Sequence, residues 1–104
     1  MASLKAVMFL PVRDNDGRDL SEERQAAEED LFLIYLGWTF LGMVQGAYRM
    51  TDGTRAIDDH RAYAVITDDA GLIEIEAVLR RFKSKTTQEA IYLEVQYNVE
   101  MRLI

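Results

Sequence analysis

In the stretch from Ile91 to Ile104 every second residue from Ile91 to Leu103 is apolar. Ile91, Leu93, Val95, Tyr97, Val99, Met101 and Leu103 are interleaved with Tyr92, Glu94, Gln96, Asn98, Glu100 and Arg102. A period of two puts the two sets on opposite faces of an extended strand. Apolar side chains contribute roughly 1.5–3 kcal/mol each when fully buried. No other segment offers so uniform an apolar face, so the pattern predicts a final strand over 91–104, with the other elements arranged to cover it.

The preceding chain supplies those elements in order. Leu4 to Val12 reads as a first strand, with Leu4, Ala6, Met8, Leu10 and Val12 on one side and Lys5, Val7, Phe9 and Pro11 on the other. Arg13 to Gly17 is a turn rich in Asp and Asn. Asp14, Asp16, Gly17 and Glu23 are spaced like parts of a calcium loop, but Val12 occupies the first ligand position, so no metal is expected. Ser21 is a candidate helix N-cap. Ala27, Leu31, Ile34 and Tyr35 then form an apolar stripe, Glu22, Arg24 and Glu29 face solvent, and Gly37 reads as a left-handed cap.

Trp38 to Met50 reads as a second strand, and Asp52-Gly53 as a two-residue hairpin turn. Pairing Thr51 with Thr54 sets Phe40 opposite Val65, Leu41 opposite Ala64 and Gly42 opposite Tyr63. The third strand is then Arg61 to Thr67, with a bulge between Ile57 and His60. Asp68 or Asp69 caps a second helix whose stripe is Leu72, Ile75, Val78, Leu79 and Phe82.

The order β-α-β-β-α-β is that of the ferredoxin-like α+β sandwich. It predicts one domain over residues 1–104, a four-stranded antiparallel sheet ordered 4-1-3-2, and both helices on one face. Ala62 and Ala64 are small enough to let a helix approach the third strand, which turns Tyr63 and Val65 to the other face. The predicted helix-free face then carries Phe9, Trp38, Phe40, Gly42, Tyr63 and Val65. That is more apolar surface than a soluble monomer leaves in water, so it is read as the face that binds a ligand or a partner.

The chemistry visible in the sequence is sparse. There is no cysteine, and the net charge of −6 repels phosphate backbones, which argues against nucleic-acid binding. No apolar run is long enough to span a bilayer and no secretory leader is visible, so a cytoplasmic protein is expected. His60, the only histidine, reads as a solvated turn residue beside Asp58 and Asp59. Glu74 and Glu76 lie two apart on a helix and do not face each other. No catalytic residue, metal site or cofactor is predicted.

Tyr48-Arg49-Met50-Thr51-Asp52-Gly53, the acidic pair Asp58-Asp59, Phe82 and Gln88-Glu89-Ala90-Ile91 together resemble a family of small uncharacterised bacterial proteins. That resemblance implies the ferredoxin-like order and no particular activity. The functional reading is a non-enzymatic homo-oligomeric module, a homodimer or higher, that binds a small apolar ligand or a partner protein through the helix-free sheet face. The alternative is a cofactor-free small-molecule enzyme of the dimeric α+β barrel kind.

Overall fold

The computed structural model describes residues 3–34 and 37–104. The elements run β1 (Leu4–Pro11), α1 (Ser21–Ile34), β2 (Thr39–Arg49), β3 (Arg55–Thr67), α2 (Asp69–Ser84) and β4 (Tyr92–Tyr97). This is the ferredoxin-like order, and the sheet is antiparallel with strand order β2-β3-β1-β4. The two helices cover one face. Between them and the sheet lies a core of Leu4, Ala6, Met8 and Leu10 from β1, Ala27 and Leu31 from α1, and Ile75, Val78, Leu79 and Phe82 from α2.

The helix signals explain where the helices begin. The Asp68 carboxylate accepts from the Gly71 amide at 2.9 Å and caps α2. At α1 the cap differs from expectation. Both the amide and the hydroxyl of Ser21 donate to Asp19, at 3.2 and 2.8 Å, so Asp19 supplies the capping carboxylate. Arg24, expected in solvent, is buried, and its guanidinium donates to the carbonyls of Pro11 and Val12 at 3.0 and 2.7 Å. It ties the end of β1 to the first turn of α1 with charge-assisted bonds. Ile34 is exposed, the expected stripe residue Tyr35 lies outside the described residues, and Gly37, at φ 159°, is nearly extended and forms no left-handed cap.

β4 is shorter than the alternation predicts. It pairs with β1 from Phe9↔Tyr92 to Leu4↔Tyr97, and there β1 itself begins. Past that point the ladder has no further pair among the described residues. Asn98 turns into the left-handed region at φ 58°, the Val99 amide closes on the Ser3 carbonyl at 3.0 Å, and Met101 to Ile104 are exposed. Only Ile91, Leu93 and Val95 of the alternating set pack against the core.

The hairpin register also differs from expectation. The Met50 amide donates to the Thr54 carbonyl, so the loop has three residues, Thr51-Asp52-Gly53, with Gly53 at φ 86°. Three-residue hairpin loops place glycine in that left-handed position. The pairing therefore starts one residue away from the expected one, at Arg49↔Arg55, and β3 extends back through residues expected to bulge. The irregularity lies on β2 instead, between Phe40 and Gly42, where Gly42 takes φ 122°. Phe40 ends opposite Tyr63, and Gly42 opposite Ala62.

The faces of β3 are the reverse of the expected ones. Met8 pairs with Tyr63 and Phe9 with Ala62, so Tyr63 and Val65 lie under the helices, 0% and 2% exposed. Tyr63 can occupy the core because its hydroxyl is satisfied: it donates to the Glu28 carboxylate on α1 and accepts from Arg61 Nε at 2.9 Å. Ala62 and Ala64 face the helix-free side, opposite Phe9 and Val7. Since Val65 is core, Val65→Lys is expected to cost several kcal/mol by burying an unpaired ammonium. Urea melts check this, and wild-type stability of the variant would return Val65 to the open face.

Candidate ligand-binding cleft

Of the six residues expected on the helix-free face, the structure places Phe9 and Gly42 there. Tyr63 and Val65 are core, and Phe40 shares the helix side with Tyr63, under the Arg61 guanidinium at 4.1 Å. Trp38 packs against the core with its indole N–H on the Glu28 carbonyl of α1, at 3.1 Å. The bulge and the reversed face of β3 account for Phe40, Tyr63 and Val65, and Trp38, ahead of β2, is held by its bond to α1.

The helix-free side nonetheless carries a cleft of about 290 Å³, where the β2–β3 hairpin, the end of β1 and the segment leading into β4 meet. Its floor is aromatic. Phe9 and Tyr92, cross-strand partners, stack with ring centroids 4.3 Å apart and planes 11° from parallel. The Tyr92 hydroxyl donates to Glu94 at 2.8 Å and Glu94 also accepts from Gln96, which fixes the ring in place. Small residues on β3 leave room for this pair: Ala62 is the residue opposite Phe9.

His60 stands at the same end of β3, directly opposite Pro11 on one side and Val44 on the other. It is 6% exposed, far from the solvated turn residue expected of it, because the strand runs straight through Ile57 to His60. Phe9 lies 6.1 Å from its ring and Tyr48 stands edge-on at 5.6 Å. Neither ring nitrogen has a hydrogen-bond partner among the described residues. Burial lowers the imidazole pKa, against the opposing pull of Asp58 and Asp59, so the ring is neutral at pH 7. Asp58 alternates onto the same face and also lines the cleft. Tyr48 lies across Gly46, where a methyl group would overlap its ring and hydroxyl oxygen. Tyr48 thus fills the space that the missing side chain leaves at Gly46.

The far wall, Gln88 to Ile91, is held by Asp14. This carboxylate, buried in the turn after β1, accepts from the Thr87 hydroxyl at 2.7 Å, from the Thr87 amide at 2.9 Å, from the Asn15 amide at 2.9 Å and from the Gln88 side chain at 3.1 Å. Arg18 adds an ion pair to Asp14 at 3.3 Å and a bond to the Lys85 carbonyl at 3.0 Å. At the mouth, Thr51 on the hairpin loop donates to Glu89. Sequence reasoning found the Asp14 turn but missed its partners, seventy-three residues away. Among the described residues no group of His, Asp and Glu is arranged to hold a metal, and no helix is long and apolar enough to cross a membrane.

No family model matches the chain, and no curated protein sequence matches it. Solved structures share its fold. A phage SAM lyase in complex with S-methyl-5'-thioadenosine superposes with a TM-score of 0.70 at 14% identity, covering 92% of this chain and 81% of the lyase. The divalent cation tolerance protein Cut A1 from Thermus thermophilus gives 0.65 at 12% identity, covering 96% and 87%. CutA1 from Oryza sativa gives 0.65 at 9% identity, covering 98% and 84%. At such identities the likeness is one of fold.

The clamp makes the cleft wall sensitive to acid. Burial works to raise the Asp14 pKa, but the bonds from Thr87, Asn15 and Gln88 outweigh it and bring the carboxyl from 3.8 down to about 2. A carboxylate lowered on folding contributes stability above its unfolded pKa, and that contribution is lost as pH falls through 3.8 toward 2. The gap is worth roughly 2 kcal/mol. Asp14→Asn is expected to melt lower than wild type at pH 7 and to lose that difference near pH 2. Parallel melts across this range would show a constant difference if the Thr87 and Gln88 bonds do not depend on the charge.

Proposed function

We propose that the protein is a homo-oligomeric small-molecule-binding module whose site is the cleft on the helix-free sheet face. One observation carries this reading. His60 is buried at the base of the cleft with both ring nitrogens unpartnered among the described residues. Buried polar groups are nearly always hydrogen-bonded, and an orphan costs about 1–3 kcal/mol. A molecule seated against the Phe9–Tyr92 stack can supply the missing partner. The SAM lyase that shares this fold is described in complex with S-methyl-5'-thioadenosine, a ligand of a size this cleft suits.

The oligomer rests on surface. β2 is an edge strand of 11 residues whose outer backbone pairs with no strand among the described residues, and Leu41 and Met43 on it are 50% and 56% exposed. Long apolar edges recruit another strand unless something covers them. Two-fold association of identical chains covers β2 and the rim of the helix-free face with the same surface from a neighbour, and a cyclic ring covers them with a different one. The alternative reading, a cofactor-free enzyme, draws on the neutral His60 beside Asp58, a pairing that could move a proton on a bound substrate.

Light scattering on a size-exclusion column, with mass spectrometry of whatever small molecule the purified protein releases on denaturation, tests the reading. The expected result is a multiple of the single-chain mass and a bound compound that His60→Phe retains less well. A clean monomer at tens of micromolar removes the oligomer. A folded His60→Phe variant that retains the compound as wild type does would remove the cleft.

A further inference from the structure

We infer that the cleft takes a flat aromatic heterocycle, uncharged or cationic, whose hydrogen-bonding edge pairs with His60 once the Tyr48 ring has swung aside. The inference rests on the cleft being a ligand site and adds what kind of ligand it is. The floor fixes the shape. The Phe9–Tyr92 stack presents a flat aromatic surface, on which planar rings pack in offset or parallel fashion.

His60 fixes the edge. A neutral imidazole offers one N–H donor and one lone-pair acceptor, so it is matched by a ring bearing an acceptor or an exocyclic amine. Charge excludes anions. Asp58 lies beside His60 and Glu89 on the facing wall, against one lining cation among the described residues, Arg49, in a chain of net charge −6. A carboxylate or phosphate entering there meets two like charges, whereas aromatic faces attract a cation.

Tyr48 is the part that moves. No hydrogen bond anchors its hydroxyl among the described residues, and its ring rests on Gly46 and stands edge-on to His60. A rotamer change clears it without moving backbone. Because a methyl group at Gly46 would overlap the Tyr48 hydroxyl oxygen and Cζ, Gly46→Ala drives the ring off the strand and mimics the open cleft.

Amide-resolved NMR titrations of the full chain with three probes test this: 2-aminobenzimidazole as a cation, indazole as a neutral ring and benzoate as an anion. The first two are expected to shift the amides of Phe9, His60, Ala90 and Tyr92, while benzoate leaves them in place. His60→Phe is expected to weaken 2-aminobenzimidazole by about tenfold, the scale of one lost hydrogen bond to a charged partner. Gly46→Ala is expected to tighten it several-fold, since the closed state no longer competes. Benzoate binding as well as the other two, with shifts confined to the cleft, overturns the ligand class and leaves the cleft a binding site. Unchanged affinity in His60→Phe overturns the pairing, and unchanged or weaker affinity in Gly46→Ala overturns the role of Tyr48. Silence of the cleft amides toward all three probes overturns both this inference and the cleft reading beneath it.

Discussion

Strand β3 can give only one of its two faces to the helices, and that choice organises the molecule. It sits between β1 and β2 and its residues alternate in size, with Tyr63 and Val65 on one side and His60, Ala62 and Ala64 on the other. The helices take the large side because β1 offers Leu4, Ala6, Met8 and Leu10 in register with it and because α1 brings Glu28 to the Tyr63 hydroxyl. The small side is left facing outward, and a row of alanines beside β1 leaves volume that Phe9 and Tyr92 fill by stacking. The core and the cleft are thus two consequences of one alternation.

Much of the fold was legible because it is written in local signals. The period of two in β1, the stripe from Ile75 to Phe82, the Asp68 cap and the glycine at the hairpin loop all speak of their own neighbourhood. The features that were not legible depend on distant partners. Both faces of the β2–β3 hairpin carry apolar residues, so alternation alone could not choose between them. The deciding contact, Tyr63 to Glu28, spans thirty-five residues. β4 stops at Tyr97 because β1 begins at Leu4, a fact about another strand. His60 looked like a turn residue because Asp58 and Asp59 precede it, yet exposed acidic positions alternate easily along an edge-facing ribbon. The cleft itself was legible only as an apolar open face; its location needed the register.

That register also gives the cleft one firm side and one soft side. Beyond Asp59, whose carbonyl accepts from the Val12 amide at 2.9 Å, β3 pairs with β2 alone among the described residues, so the hairpin from Gly46 to Asp58 is a two-stranded ribbon. Isolated two-stranded ribbons are marginal in water. The opposite wall is different, since Asp14, Arg18 and Asn15 bond to Lys85, Thr87 and Gln88 before the chain reaches Glu89. Thr51 to Glu89 is the link between the two sides. The side chain proposed to swing aside, Tyr48, lies on the ribbon, and the clamped wall stands opposite it across the cleft.

Asp14 and His60 show how one chain treats two buried titratable groups in opposite ways. Asp14 accepts from Thr87, Asn15 and Gln88, so ionisation is favoured despite burial, and the charge holds two loops together. His60 has no such partner among the described residues, so burial drives it neutral even with Asp58 and Asp59 nearby. Neutrality keeps one donor and one acceptor available at the base of an aromatic cleft, a pair that a protonated ring would not offer. Protonation would therefore have a different consequence at each group. At His60, where burial opposes it, a second N–H would replace the lone-pair acceptor; at Asp14 it would release the bonds that clamp the wall.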